Sequence, residues 1–262
     1  MQLKMFQVDA FAREVFRGNP AAVVPLTRWL EESQMQSIAA ENNLSETAFF
    51  TPQNGDYGLR WFTPTCEVRL CGHATLASAF VVLNILEPER KLVRFDTLSG
   101  TLTVERGGDL LIMDFPKRPP EASEAPAALF DGLKIKPREV LATPMDTNYY
   151  AVYESEDMVR ALQPDWQLLE RLHPYGVAVT APSTEVDFVS RYFAPSYGIP
   201  EDPVTGAIHC ALVPYWANRL GKSELHARQV SKRGGELFCE LRQNSVMISG
   251  YAAKYLEGDI YL

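Results

Sequence analysis

The sequence lacks the features of membrane and secreted proteins. No apolar run approaches the roughly 18 uninterrupted residues of a membrane span. The N-terminus, MQLKMFQVDAF, has no charged start followed by a long apolar stretch. The chain has only four cysteines, Cys66, Cys71, Cys210 and Cys239, which favour reduced thiols over a disulfide framework. These absences predict a cytoplasmic protein without a membrane partner.

Several catalytic and binding motifs are also missing. The chain has no G-x-G-x-x-G after a strand, no G-x-x-x-x-G-K-[ST], no G-x-S-x-G and no H-E-x-x-H, so nicotinamide, nucleotide, serine-hydrolase and zincin functions lose support. The net charge is -8, with no cluster of Lys and Arg among aromatic residues. Nucleic acid is therefore not an expected partner.

The chain contains one internal repeat. The stretch from Arg60, RWFTPTCEVRLCGHATLASA, is echoed from Ser190 by SRYFAPSYGIPEDPVTGAIHCAL, and Gly72 and Gly206 are 134 positions apart. The repeat predicts two similar halves, residues 1–117 and 118–262, with the active site in the cleft between them. A return of the C-terminal strands to the first half stays open.

The local pattern predicts an α+β fold. The first half contains a helix at 28–43, with Thr27 as its cap. The helix after Gly72 is apolar on every face and must be surrounded, so each half is expected to wrap a curved sheet around a central helix. Pro214 should kink or shorten the second helix, which opens at Gly206. Seven strands are predicted in the first half, at 3–8, 21–24, 47–51, 58–62, 93–96, 101–105 and 110–115.

The two helix starts are candidate anion sites. Gly72 opens one helix and Thr205-Gly206 opens the other, and free N–H groups at a helix N-terminus attract a carboxylate. The alternative is that each glycine only permits a tight turn from strand to helix.

Three further side chains are candidates for proton chemistry. Glu46 lies among Leu44, Ala48 and Phe49, where a partly desolvated carboxylate can transfer protons; the alternative is an exposed glutamate at a strand end. His73 either shuttles a proton or is a structural histidine, and Asp202 either binds a ligand or caps a turn.

A metal site is not predicted. Potential ligands are present, but their spacings match no common zinc pattern. They are Cys66, Cys71, His73, His209 and Cys210.

These residues fall in blocks that resemble the PhzF-like family of phenazine biosynthesis proteins. The blocks VDAF, GNPA, NLSETAFF, RWFTP, LCGHAT and EDPVTG follow one another along the whole chain. The resemblance implies the diaminopimelate-epimerase-type fold and a homodimer. It also implies that Glu46 is the acid/base, that His73 and Asp202 hold a small carboxylate-bearing substrate, and that the helix starts at Gly72 and at Thr205-Gly206 bind its carboxylate. Ala207 departs from the serine that often follows Thr-Gly in the family, which leaves the substrate open.

The sequence thus predicts a cofactor-independent isomerase that moves a proton on a small carboxylate. Two alternatives remain. One is an amino-acid racemase or epimerase, although the paired thiols of such enzymes are not matched here, since Cys71 precedes Gly72 but Thr205 precedes Gly206. The other is a binding or interaction protein on the same scaffold.

Overall fold

The computed structural model describes residues 1–143 and 146–262, which form a mixed, sheet-rich fold. The strands are β1 Gln2–Ala10, β2 Asn19–Pro25, β3 Glu46–Gln53, β4 Asp56–Phe62, β5 Glu67–Val68, β6 Leu92–Thr97, β7 Gly100–Gly107, β8 Leu110–Pro116, β9 Glu121–Ala122, β10 Glu139–Thr143, β11 Asn148–Val152, β12 Gly176–Pro182, β13 Phe188–Ala194, β14 Ile199–Asp202, β15 Glu224–Gln229, β16 Gly235–Leu241, β17 Ser245–Gly250 and β18 Ala252–Tyr261. The helices are α1 Glu32–Asn42, α2 Gly72–Val81, α3 Ala127–Leu133, α4 Glu156–Ala161, α5 Trp166–Glu170 and α6 His209–Leu220.

The chain divides into two compact units. The first contains Met1–Asp114 together with Ser249–Leu262, and the second contains Phe115–Ile248. The C-terminal strand β18 lies in the first unit, where it pairs antiparallel with β1. The first unit is therefore built from two separate segments of the chain.

Strand pairing follows the same order in both units. In the first, β1–β2 is antiparallel, β2–β3 parallel, β3–β4 antiparallel and β4–β6 parallel. In the second, β10–β11 is antiparallel, β11–β12 parallel, β12–β13 antiparallel and β13–β15 parallel. The internal repeat of the sequence is thus a repeat of topology.

All seven strands predicted for the first half are present, as β1 to β4 and β6 to β8. The predicted helix start was wrong. Helix α1 begins at Glu32, with Glu31 rather than Thr27 at its N-cap. The N–H of Leu26 still donates to the Phe50 carbonyl of β3. Leu30 packs against the hydrophobic cluster that contains Met35 and Phe49. These contacts hold the chain before Glu31 out of the helix.

Helix α2 is buried along its length, as its uniformly apolar sequence predicted. The residues from His73 to Ala79 and Val81 are all buried, and the helix contacts strands β1, β2, β3 and β18. Residues 82–86 continue it as one π-helical turn. The first unit therefore packs its sheet around this helix.

The predicted start of helix α6 at Gly206 was wrong. It begins at His209, because residues 206–208 form a tighter turn in which His209 N–H donates to the Gly206 carbonyl. It also runs through Pro214 to Leu220 without ending. Proline cannot donate to the carbonyl of Cys210, and the Arg118 N–H donates to that carbonyl instead, at 3.0 Å. An outside donor thus compensates for the proline.

In the part of the chain that the structure describes, the helices are all too short or too polar to cross a membrane.

Candidate active site

Glu46 is buried at the start of strand β3. Helix α1 ends at Asn43 in the left-handed conformation, with φ of 48°, which asparagine tolerates well. The chain then turns into β3, and Glu46 pairs in parallel register with Ala21 of β2. Only 8% of Glu46 is exposed, so the alternative of an exposed glutamate at a strand end is wrong.

His73 is fixed by the first turn of helix α2. Cys71 caps the helix in an extended conformation, and Thr75 donates both its N–H, at 3.1 Å, and its hydroxyl, at 2.5 Å, to the Cys71 carbonyl. His73 is the second residue of this helix and is 5% exposed. The two hydrogen bonds from Thr75 to Cys71 therefore hold the backbone of His73 in place.

The carboxylate of Glu46 and the imidazole of His73 contact each other. Oε2 of Glu46 lies 3.1 Å from Nε2 of His73, and both atoms are inaccessible to solvent. The contact has the distance of an ion pair but not the alignment of a linear hydrogen bond.

The charge state of His73 depends on its neighbours. Burial lowers the pKa of His73, because it disfavours the charged ring, but negative charge on Cys71 and on Glu46 favours it and raises the pKa well above the usual 6.5. We ascribe the rise to Glu46, because burial raises the pKa of the Cys71 thiol to about 11 and keeps it uncharged at neutral pH. A carboxylate is thus paired with a ring that readily carries a proton.

The opposite edge of the ring is also occupied. Nδ1 of His73 lies 3.2 Å from Nδ2 of Asn19 and 3.4 Å from Sγ of Cys71. Asn19 begins β2 and is completely buried. The sequence analysis did not select Asn19 as a site residue, and its place in the GNPA block was the available signal.

Three side chains of this site have potential metal-ligand atoms close together. Single ligand atoms of Glu46, Cys71 and His73 lie within 4.8 Å of one another. However, Cys71 approaches Nδ1 of the ring, whereas Glu46 approaches Nε2. An ion on either nitrogen would have only one of these two ligands on its own side, so the arrangement suits proton transfer better than metal binding.

The second unit holds Asp202, Thr205 and Gly206 together. The Thr205 hydroxyl donates to Oδ2 of Asp202 at 2.5 Å. Gln229, which the sequence analysis missed, is fully buried. Its Oε1 accepts the Thr205 N–H at 2.9 Å and its Nε2 donates to the Asp202 carbonyl at 2.8 Å. This amide fixes the loop that carries Asp202 into the turn at Gly206.

His209 stabilises the same turn. Its Nδ1 lies 2.9 Å from the Thr205 carbonyl, so the ring donates its proton there. The ring is completely buried against Phe188, and burial lowers its pKa to about 4, although the Thr205 carbonyl opposes this. His209 is thus a neutral, structural histidine.

The structure is that of an α+β protein with two topologically similar units and a buried carboxylate–imidazole contact in the first of them. Residues 8–258 match the model of the phenazine biosynthesis-like family, PhzC-PhzF. An uncharacterized isomerase of Pseudomonas aeruginosa is 52% identical over 262 residues, which cover both chains completely. The crystal structure of a PhzF-family protein from Enterococcus faecalis has a TM-score of 0.96 and 44% identity, again over both whole chains. The chain belongs to the phenazine biosynthesis-like family.

More distant structures confirm the predicted fold class. A hydroxyproline epimerase from Agrobacterium vitis matches with a TM-score of 0.62 over 99% of this chain and 92% of its own, at 10% identity. That likeness concerns the fold alone. It agrees with the diaminopimelate-epimerase-type architecture expected from the sequence.

Proposed function

We propose that this protein is an isomerase that moves a proton within a small carboxylate-bearing molecule, with Glu46 as the acid/base. The observation that carries the proposal is the buried contact between Glu46 and His73, with 3.1 Å between Oε2 and Nε2. Relatives at 52%, 46% and 43% identity are named uncharacterized isomerases, which supports the same class of reaction here.

The proposed reaction is neutral in charge and in oxidation state. The Glu46 carboxylate removes a proton from a carbon next to an unsaturated group, so a C–H bond breaks, an O–H bond forms and the electron pair delocalises into that group. The carboxylic acid then returns the proton to a second carbon, which regenerates the carboxylate. No electron leaves the substrate, so the proposal includes no cofactor.

The remaining residues have proposed binding roles. Gly72 and Gly206 would bind the substrate carboxylate through backbone N–H groups, and Asp202 would orient the reacting group. Thr205, whose N–H donates to Gln229 and whose hydroxyl donates to Asp202, would hold this binding turn in shape. In α2 the first intrahelical bond is from Thr75 to Cys71, so the helix does not use the N–H groups of Gly72 and His73. Because both ring nitrogens of His73 face protein groups, we assign His73 to the orientation of Glu46 rather than of the substrate.

The test is hydrogen exchange in D2O, followed by NMR, on a panel of small cyclic and acyclic amino and hydroxy carboxylates. The proposal expects at least one compound to incorporate deuterium at carbon, and at a rate that depends on enzyme concentration. Compounds that bind without exchanging any carbon-bound hydrogen would favour a binding protein and contradict the proposal.

A further inference from the structure

The first unit contains a buried amide that contacts the imidazole of His73. Asn19 is completely buried, and its Nδ2 lies 3.2 Å from Nδ1 of His73. An amide nitrogen can only donate a hydrogen bond, so in the neutral form of the ring the nitrogen that faces it accepts. The Asn19 atom that faces Nδ1 therefore determines which nitrogen of the neutral His73 ring carries the proton.

Cys71 presents a second donor to the same nitrogen. Its Sγ lies 3.4 Å from Nδ1, and burial together with the nearby Glu46 charge raises the pKa of the thiol to about 11. The group is therefore a thiol, S–H, at neutral pH, and it donates weakly. Both neighbours of Nδ1 are donors, while the neighbour of Nε2 is the Glu46 carboxylate, an acceptor.

We propose that Asn19 is a positioning residue that holds Nδ1 of His73 as a hydrogen-bond acceptor, so that the neutral ring carries its proton on Nε2, the nitrogen that lies 3.1 Å from Oε2 of Glu46. This inference rests on the proposed function. The groups that face the ring are Asn19 from β2, Glu46 from β3 and Cys71 from the start of α2. Glu46 lies on the Nε2 side of the ring, whereas Asn19 and Cys71 lie on the Nδ1 side.

The arrangement has a consequence for the proton that Glu46 removes. If the neutral ring carried its proton on Nδ1, the lone pair of Nε2 would face Oε2 and would take a proton from the protonated Glu46. With the proton on Nε2, the ring cannot accept another proton at the Glu46 side. The charged ring, which the raised pKa of His73 favours at neutral pH, has a proton on Nε2 as well. In either state Glu46 keeps the captured proton and returns it to the substrate.

The experiment is a pH titration of the full-length protein labelled with 15N-histidine, with no substrate added. His73→Gln identifies the His73 signals among those of the four histidines. In the wild type, once the ring is neutral, we expect the form with a protonated Nε2 in roughly tenfold excess, the ratio that one ordinary net hydrogen bond supports. A neutral ring protonated mainly on Nδ1 would overturn the proposal.

Asn19→Asp sharpens the test, because a carboxylate of nearly the same shape accepts where the amide donated. It should move the proton of the neutral ring to Nδ1 and raise the pKa of His73. If this variant does not fold, Asn19→Ala should reduce the excess of the Nε2 form severalfold. Unchanged His73 signals in a folded Asn19 variant would also contradict the proposal.

Asn148→Asp is the matched control. Asn148 begins β11 in the second unit, is 8% exposed, and accepts a hydrogen bond from the Tyr192 hydroxyl at 2.8 Å. The same substitution there should leave the tautomer of His73 as in the wild type. Because none of these measurements needs turnover, their failure is distinguishable from a failure of the proposed isomerase activity.

Discussion

In the first unit, strand β3 begins with Glu46, whereas the matching position of the second unit is Gly176. Phe62 and Phe193 correspond in the sequence repeat, and their strand partners are Thr47 and Val177; Glu46 and Gly176 precede these partners. At Gly176 a side chain has no room, because a Cβ would lie 2.2 Å from the Tyr192 hydroxyl. One topology therefore presents a carboxylate in one unit and a tyrosine hydroxyl in the other.

The chain segments at the starts of α2 and α6 also differ between the two units. Thr75 in the first unit and His209 in the second both donate to the carbonyl of the residue before the glycine, Cys71 and Thr205 respectively. In the second unit a buried histidine therefore makes the structural hydrogen bond that a threonine makes in the first unit. The histidine of the first unit is free to face Glu46. The comparison teaches that the first unit pairs a buried carboxylate with an imidazole, while buried polar side chains of the second unit shape a loop.

The two buried histidines should give opposite pH dependences of stability. His209 has a pKa of about 4 in the folded protein and 6.5 ordinarily, so the unfolded chain binds a proton that the folded chain does not. The stability that it contributes is present above pH 6.5 and is lost as the pH falls toward 4, by about 3 kcal/mol in total. The raised pKa of His73 contributes stability that is present below 6.5 and lost as the pH rises through that raised value.

Urea unfolding at several pH values on both sides of 6.5 measures how the free energy of unfolding changes with pH. His209→Gln should remove the loss of stability in acid, and His73→Gln should remove the loss in base. His173→Gln, at an exposed histidine of the second unit, is the control and should retain both slopes. If the free energy of unfolding of His209→Gln and of His73→Gln depended on pH in the same way, the contrast between the two units would be wrong.

Gly176→Ala tests whether the second unit has closed the position that Glu46 occupies in the first. The added methyl group would meet the Tyr192 hydroxyl and also its ring carbon Cζ at 2.7 Å, so we expect a loss of about 1–3 kcal/mol from overpacking. The midpoint of urea unfolding measures it. Gly258→Ala, where the nearest atom is 3.7 Å away, should change stability by less than about 0.5 kcal/mol. Equal effects would show that the position is open.

The smallest effect concerns the thiol of the first unit. Cys71 is buried with a pKa of about 11, whereas Cys66 is exposed. Iodoacetamide at neutral pH should therefore label Cys66 and leave Cys71 and the deuterium exchange of any substrate intact. Mass spectrometry locates the label. Loss of exchange in step with modification of Cys71 would favour a thiol-dependent racemase.

Much of the fold follows from local sequence patterns. The strands of the first half and the fully buried helix α2 are legible because alternation and uniform apolarity are properties of short segments. The starts of α1 and α6 are not, since the packing of Leu30 and the hydrogen bond from the His209 N–H to the Gly206 carbonyl involve residues outside the periodic pattern. Tolerance of Pro214 depends on Arg118, which is remote in sequence.

The site was predictable in part. Glu46 and His73 were selected from their local sequence, but their contact depends on the parallel pairing of β2 with β3 and on how α2 packs against both. Asn19 and Gln229 are polar residues at strand ends, where most such residues face solvent. Their burial, and hence their roles, exist only in the folded chain.

The measurement that tests the account most directly is the rate of deuterium incorporation by Glu46→Gln, compared with wild type and with Glu41→Gln, an exposed glutamate of α1. Glutamine keeps the shape of the side chain but cannot carry the proton. The account predicts a rate lower by about 10²–10⁴-fold for Glu46→Gln and an unchanged rate for Glu41→Gln. A folded Glu46→Gln protein that exchanges substrate hydrogen at the wild-type rate would contradict the assignment of Glu46 as the acid/base.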